Sequence, residues 1–486
     1  MVRVAIVGTG FGGIGTAVRL LQDGVEELVL FERSDDVGGV WRDNTYPGAA
    51  CDVASHLYSF SFAPTGRWSR RFAPQAEIHS YLRDVARDFG LLPHVRLRTE
   101  VLSAAWDGGQ WVLELSGGGS HTADVLVAAC GQLSRPRLPD VPGLQDFAGT
   151  TFHSAEWDHD ADLTGRVAVL GTGASAIQFV PEVARTAVAV TVFQRSAPYV
   201  LRKPDRAYGT VVRAALDRAP WLLKADRLKV FCTNELRSLG FNTEPRLMKG
   251  VDVRFRRYLA QQVPDPVLRD RLTPRDPIGC KRILQSNEWY PALQEPHVEL
   301  VTDDVVRVVP EGVVSADGRV HEADVLVLGT GFAATELLAP MQVTGRDGRQ
   351  LTDAWSQGAE AYLGTTVAGF PNLFLLYGPN TNLGHSSILL MLESQIAYVR
   401  DAVRLVGDGG ALEVRAEVMR AFNDRLQNKL AGTVFAGGCR SWYLDARGRN
   451  TQNWPGTTLD FRRRTRRVRL EDHVLVPARP LVDAGS

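Results

Sequence analysis

Apolar positions along the chain gather in short, unbroken runs separated by stretches of helical period, the pattern of buried parallel strands joined by crossover helices. Val2 to Val7 is the first such run. A glycine cluster follows, then the helix-like Thr16-Ala17-Val18-Arg19-Leu20-Leu21, then the next buried run, Leu28-Val29-Leu30-Phe31-Glu32. Together they predict one βαβ unit. The design returns at Val167-Ala168-Val169-Leu170, turns at Gly171-Thr172-Gly173, continues as a helix to about Ala187, and closes with Val190-Thr191-Val192-Phe193. Between the units lie the strand-like segment Asp124-Val125-Leu126-Val127-Ala128-Ala129-Cys130-Gly131 and a Pro-rich link, Arg135 to Pro139. Its close echo is Asp324-Val325-Leu326-Val327-Leu328-Gly329-Thr330-Gly331. The echo predicts that the chain leaves one domain and re-enters it, with crossovers near residues 140–165 and 315–335. Residues 205–267, rich in Leu, Ala, Arg and Lys at helical spacing, read as a helical insertion.

This organisation suits 486 residues that are 44% hydrophobic and 23% charged, a makeup that excludes a disordered, collagen-like or disulfide-scaffold chain. Lys+Arg and Asp+Glu each number 55, so no net field draws the chain to nucleic acid or anionic lipid. The cluster Arg462-Arg463-Arg464 with Arg466, Arg467 and Arg469 reads more plainly as a solvated tail pairing with nearby acids than as a polyanion patch. Cys51, Cys130, Cys232, Cys280 and Cys439 are odd in number, far apart and never spaced C-x-x-C. That spacing argues against a disulfide framework, a zinc site or a dithiol redox pair. With no signal-like N-terminus and no membrane-length apolar run, the reading is a soluble, cytoplasmic protein.

The two glycine turns carry the first chemistry. Gly8-Thr9-Gly10-Phe11-Gly12-Gly13 fits G-x-G-x-x-G between a strand and a helix. Gly8 permits the turn, Gly10 lets backbone amides approach a pyrophosphate, and Gly13 lets the helix pack on the strand. Glu32, ending the second strand, stands where a carboxylate accepts the ribose hydroxyls of an unphosphorylated adenosine, so this site should hold FAD or NAD and not NADP. The second turn, Gly171-Thr172-Gly173-Ala174-Ser175-Ala176, has alanine at the third glycine, and its second strand ends in Gln194-Arg195-Ser196. No acid stands there. Arg195 is placed to pair with a 2′-phosphate, which points to NADPH; the plainer alternative is a solvated strand-end arginine.

Between the turns, Phe147, Gly149, His153, Trp157 and Asp158 match F-x-G-x-x-x-H-x-x-x-W-[PD]. On this motif the chain resembles the class B flavoprotein monooxygenases and, within them, the type I Baeyer–Villiger monooxygenases. The resemblance runs from Gly8 to about Gly456 through Gly38-Gly39-Val40-Trp41, Tyr46-Pro47-Gly48 to Asp52, Gly279-Cys280-Lys281-Arg282, Gly329-Thr330-Gly331-Phe332, Gly378-Pro379-Asn380 and Ser441-Trp442-Tyr443. Two positions depart from the family: Cys130 stands where threonine is usual, and Val40 where threonine or serine is common.

The resemblance implies an α/β fold with two Rossmann-like dinucleotide-binding domains, for FAD and NADPH, the second inserted in the first. Residues 1–150 would form the first part of the FAD domain, 151–320 the NADPH domain with the helical insertion at about 205–267, and 321–486 the rest of the FAD domain with a C-terminal substrate loop. It implies that NADPH reduces FAD, that O₂ is trapped as a C4a-peroxyflavin, and that this species attacks a ketone to give an ester or lactone. Arg282 would be the catalytic cation and Asp52 its partner, Asp52 also lying against the cofactor. Gly8, Gly10, Gly13, Glu32, Gly39, Trp41 and Val101 would hold FAD. Gly171, Gly173, Ser175, Arg195, Lys281 and Trp442 would hold the nicotinamide cofactor, with Trp442 on a mobile loop beside the substrate. His153 is expected to act in the linker, in cofactor handling and domain movement, and not as a general base. No metal is expected. The partners are a small-molecule ketone and O₂, with the pocket drawn from the helical insertion, the segment Asn380 to Ser387 and the loop around Trp442. N- or S-oxygenation through a hydroperoxyflavin is the alternative reading, and a non-enzymatic flavin-binding redox module a remote one.

Overall fold

The apolar runs pair in parallel in two separate five-stranded sheets, in a computed structural model that describes residues 1–407 and 410–476. The first sheet is ordered Leu373–Leu375, Val125–Ala128, Val4–Val7, Leu28–Phe31, Val95–Arg96. The second is ordered Val298–Val301, Ala189–Phe193, Arg166–Leu170, Val325–Leu328, Thr150–His153. All neighbours within each sheet are parallel. Every residue of Val125–Ala128 and of Val325–Leu328 is buried, because layers cover both sheet faces; this is why these strands read as unbroken apolar runs.

The repeat extends to the polar residues at the strand ends. Arg3 donates its backbone N–H to Asp124 at 2.8 Å, and its guanidinium grips the same carboxylate at 3.2 and 2.6 Å. Arg166 does the same to Asp324 at 2.8, 3.2 and 2.7 Å. Each sheet also carries an antiparallel three-stranded meander just ahead of that Asp: Val101–Trp106, Trp111–Leu115 and Ser120–Ala123 in the first, Val305–Val309, Gly312–Ser315 and Val320–Glu322 in the second.

Two expectations shift. The echo strand Val325–Leu328 pairs with Arg166–Leu170 and Thr150–His153, so it closes the second sheet, and the first sheet is resumed only at Leu373–Leu375. A boundary at 320/321 therefore falls one strand early: the echo marks the same place in each sheet and is not a return to the first. The helix after the second glycine turn ends at Val183, its last carbonyls being taken up by a turn that closes with Ala187 N–H on Val183 O at 3.0 Å. Residues 477–486 of the expected C-terminal region lie outside the described residues.

The expected helical insertion is present as Thr210–Arg218, Pro220–Ser238, Met248–Gln262 and Pro266–Arg271. Val230, on the second of these, packs on Ala54 and Leu57 of the first domain, so the insertion leans over the loop that carries Asp52. Among the described residues no helix is long and apolar enough to cross a membrane, and no cluster of His, Cys, Asp and Glu is arranged to hold a metal ion.

Candidate active site

The first glycine turn is a cradle that side chains cannot enter. A Cβ on Gly13 would sit 1.9 Å from Gly8 O, and one on Gly8, at φ +103°, would sit 2.7 Å from Ala129 O. The helix that follows, Phe11–Gln22, starts at Gly10 with no side-chain cap and no acid in its first turn. Its first amides are thus left for an external anion, as a bound pyrophosphate requires. Gly39, at φ +54°, lies against Gly10 and narrows the same cradle. The Glu32 carboxylate accepts the Thr9 N–H at 3.2 Å, the Thr9 hydroxyl at 2.6 Å and the Ser34 N–H at 3.1 Å, and pairs with Arg42 at 3.0 Å. Val101 is buried at the start of its strand in the same core cluster as Phe31, the residue before Glu32. Trp41 donates its indole N–H to Tyr58 at 3.1 Å and meets that ring edge-on at 5.6 Å.

The second turn is built alike but is more open. Gly171, at φ +112°, would put a Cβ 2.5 Å from Gly329 O, whereas a Cβ on Gly173 would meet nothing within 4 Å. Helix Ala176–Val183 begins at Ser175, again without a side-chain cap or an acid in its first turn. Beyond the second strand, the Lys281 ammonium donates to the Ser196 hydroxyl at 2.9 Å and pairs with Asp276 at 2.6 Å. Arg195 is exposed and makes no ion pair among the described residues. Two cations and a hydroxyl on one rim fit a phosphate monoester.

Asp52 and Arg282 come from different domains and meet. The Arg282 Nε–H donates to Asp52 at 3.2 Å, and an Nη donates to the same oxygen. The side chains are 33% and 31% exposed, so both face a space that solvent reaches. The Asp52 carboxylate raises the Arg282 pKa, a change that burial opposes. Burial alone would raise the carboxyl of Asp52, but Arg282 and Lys203 more than offset it and hold it below the usual range. Tyr443 and Tyr377 add ring hydroxyls beside Arg282; burial pushes Tyr443 up to about 12, with Arg282 pulling the other way.

The loop that carries Asp52 is fixed from both sides. Cys51 N–H donates to Ala73 O at 2.9 Å. Gln178, on the helix of the second glycine turn, accepts the Ala50 N–H and donates to the Ala50 carbonyl, both at 3.1 Å. Gly48, at φ +79°, must be small because Gln178 O would lie 2.6 Å from its Cβ. Gln178, Arg42 and Lys203 were not singled out by sequence reasoning: one is a mid-helix polar residue and two are isolated charges, and none belongs to a motif.

The five linker residues are drawn to one region but do different things. A Cβ on Gly149 would sit 2.2 Å from Asp324 O, so the motif's glycine is where the chain passes over the echo strand. Phe147 is buried with Leu326 and Leu328. Trp157 packs on Phe152 and Phe179 at 5.1 and 5.2 Å, while Asp158 only caps the Asp160 N–H at 2.9 Å. His153 is buried, its Nδ1 accepting the Ala155 N–H at 3.1 Å and its ring edge-on to Phe332 at 5.8 Å. Burial lowers its pKa, partly offset by a hydrogen bond with the Gly331 backbone. The two interdomain segments touch beside it, Arg137 N–H donating to Gly331 O at 2.9 Å and Thr330 Oγ1 to Arg137 O at 2.6 Å.

One expectation is overturned. Cys280 and Cys439 form a disulfide across 159 residues, with Cα atoms 6.2 Å apart. Spacing arguments detect local cysteine pairs, and this pair is made only by tertiary folding. Cys51, Cys130 and Cys232 are free. Trp442, two residues beyond Arg440, is half-buried with its ring 4.6 Å from that of Tyr443. In the basic C-terminal cluster, Arg463 and Arg464 pair with Asp460.

Residues 1–222 match the model of a family described as flavin-binding monooxygenase-like. The whole chain aligns, at 48% identity and over 95% of the relative, with a Baeyer–Villiger monooxygenase of Streptomyces coelicolor. Among solved structures, 98% of the chain superposes on 99% of a cyclohexanone monooxygenase from Rhodococcus sp. Phi1 bound to NADP⁺, with a TM-score of 0.88 at 28% identity. The same coverage and TM-score, at 25% identity, are found for OTEMO in complex with FAD and NADP.

Proposed function

The chain belongs to the Baeyer–Villiger monooxygenase family, and on that premise we propose that it uses FAD and NADPH to insert one oxygen atom of O₂ beside a ketone carbonyl, forming an ester or lactone. The observation that carries this reading is the Arg282–Asp52 pair, held open to solvent where the two dinucleotide-binding units meet.

When bound, FAD supplies hydride acceptance and oxygen activation; the protein's share is binding, charge and exclusion of water. The uncapped helix start at Gly10, with Glu32 at the adjacent strand end, holds the pyrophosphate and adenosine ribose of FAD. The helix start at Ser175, with Arg195, Ser196 and Lys281, holds NADPH and reads its 2′-phosphate. Arg282 stabilises the negative charge that gathers on oxygen as the ketone is attacked, and its charge does not titrate away at any working pH. Asp52 fixes the plane of that guanidinium and limits the cost of its burial. Lys203, close enough to lower Asp52, leaves the group with more positive than negative charge. In this reading residues 1–149 with the segment from about 330 onward form the FAD domain and the intervening residues the NADPH domain. The crossed linkers at Arg137 and Gly331, with His153 beside them, form the joint about which the two move. A cytoplasmic location belongs to the same proposal.

The test is product identification. FAD-loaded enzyme with NADPH and O₂ is offered ketones and thioethers together; esters or lactones are expected. Sulfoxides with no ester would overturn the reading in favour of heteroatom oxygenation.

A further inference from the structure

The Cys280–Cys439 bridge joins two segments that each carry part of the site. Cys280 directly precedes Lys281 and Arg282, and Cys439 lies just ahead of Ser441, Trp442 and Tyr443. The sulfurs are enclosed: Cys280 and Cys439 are 1% and 6% exposed, and a Cβ on Gly437 would press on Cys280 Sγ at 3.2 Å. The strip around Cys439 is otherwise loosely held. No helix or strand lies between Ala436 and Thr458, and Gly437, Gly438 and Arg440 are exposed. From Gly437 to Arg440 the hydrogen bonds are Gly437 N–H to Val434 O at 3.3 Å and Cys439 N–H to Cys280 Sγ at 3.2 Å. The sulfur of Cys280 is thus the anchor of Gly437 to Arg440 on the catalytic segment, while Tyr443 beyond them is buried against Phe435 and accepts the Thr451 N–H at 3.3 Å.

We propose that Cys280 and Cys439 form a reversible thiol–disulfide site, oxidised by a hydroperoxide, that clamps the strip bearing Trp442 and Tyr443 against Arg282 and so sets how tightly NADPH consumption is coupled to oxygen transfer. One thiolate attacks a peroxide oxygen; the S–O bond forms, the O–O bond breaks, and water leaves after protonation. The second thiol then attacks the sulfenic sulfur, the S–S bond forms, the S–O bond breaks, and a second water leaves. Two thiols lose two electrons and hydrogen peroxide gains them; a dithiol reverses the change. What sets this pair apart is proximity: with Cα atoms 6.2 Å apart, a sulfenic acid formed on one sulfur is resolved by the other, whereas Cys51, Cys130 and Cys232 are free. Hydrogen peroxide is what an oxygen-activating enzyme releases when turnover fails, so a failed turnover would close the clamp that suppresses further failures. The source of oxidant and the effect on coupling rest on the oxygenase reading; the reversible bridge and its hold on the strip do not.

The holoenzyme is treated with dithiothreitol or with hydrogen peroxide, freed of reagent, and examined in three ways. After alkylation in denaturant, peptide mapping should show Cys280 linked to Cys439 in the peroxide-treated sample and both alkylated in the reduced one. Native trypsin should cut after Arg440 faster in the reduced sample. Ester formed per NADPH should fall, and the ketone KM rise, by roughly fivefold or more on reduction, the low end of measured couplings between linked sites. Cys439→Ser should behave as reduced enzyme and ignore both reagents, while Cys232→Ser should respond as wild type. No linked peptide after peroxide, or a linked peptide with equal trypsin sensitivity and equal coupling in both states, would overturn the proposal. Failure of ester formation in every sample, with the peptide map and Arg440 cleavage still responding, would instead count against the oxygenase reading.

Discussion

Arg282 is a group for which geometry and electrostatics agree on one role, and its removal separates binding from chemistry. Arg282→Ala should keep flavin and still oxidise NADPH, while ester formation drops by about 10²- to 10³-fold, the usual loss when one preorganised charge donor is removed; stopped-flow reduction beside product yield reads both. Arg282→Lys should recover little, because an ammonium cannot reproduce the Nε and Nη bonds to Asp52. Arg195 tests the other rim. With no acid to hold it, Arg195→Ala should raise the KM for NADPH by about tenfold, the worth of one exposed charge-assisted contact, and leave the KM for NADH nearly unchanged; equal losses with both would place Arg195 away from the phosphate. Asp52, Arg282 and Lys281 were legible in the sequence because each sits in a dense block of family residues. Arg42, which pairs with Glu32, Lys203, beside Asp52, and Gln178, which clamps Ala50, were not. Lys203 and Gln178 act through partners more than a hundred residues away, and Arg42 through a loop that folds back on Glu32; neither composition nor periodicity records such pairings.

Two glycines of the turns, the third of the first motif and the second of the other, meet very different surroundings. Gly13 packs helix on strand so closely that a Cβ would fall 1.9 Å from Gly8 O, while Gly173 faces space within which no protein atom comes closer than 4 Å. Gly13→Ala should therefore yield little soluble, flavin-loaded protein. Gly173→Ala should fold with a melting temperature within a few degrees of wild type, since a change of about 1 kcal/mol moves a chain of this size little. Its added methyl should instead appear as a raised KM for NADPH. Wild-type NADPH kinetics in Gly173→Ala would show that the space lies outside the cofactor path. The buried parallel strands were legible as unbroken apolar runs. The meanders were not, because strands such as Ser120–Ala123 are short, polar and half-exposed, and their pairing supplies what their sequence lacks. The Cys280–Cys439 bridge was read the wrong way for the related reason that 159 residues separate its ends.

Across the whole molecule the duplication is carried by charge as well as by strands, and that gives it a pH signature. Asp124 and Asp324 each close a sheet by holding the Arg that opens its central strand, Arg3 in one and Arg166 in the other. The recurrence of Asp-Val-Leu-Val was the visible half of this device; its arginine half, 121 residues upstream in one case and 158 in the other, was not read with it. Hydrogen bonds from the Arg166 side chain and backbone lower Asp324 to about 2, against about 3.9 for the free side chain. Because the folded pKa is the lower one, the unfolded chain binds the proton more readily; the stabilisation is complete above about pH 4 and is lost as pH falls toward about 2. Asp324→Asn removes the titration and leaves Arg166 without its carboxylate, so the variant should be less stable than wild type at pH 7 and the gap should narrow as pH falls through that window. Chemical denaturation at fixed pH values between 2 and 7 measures it. A gap of constant size would mean that the sheet is closed by the Asp324 backbone contacts to Thr150 and Arg166 alone, and that the second hook is geometry without charge.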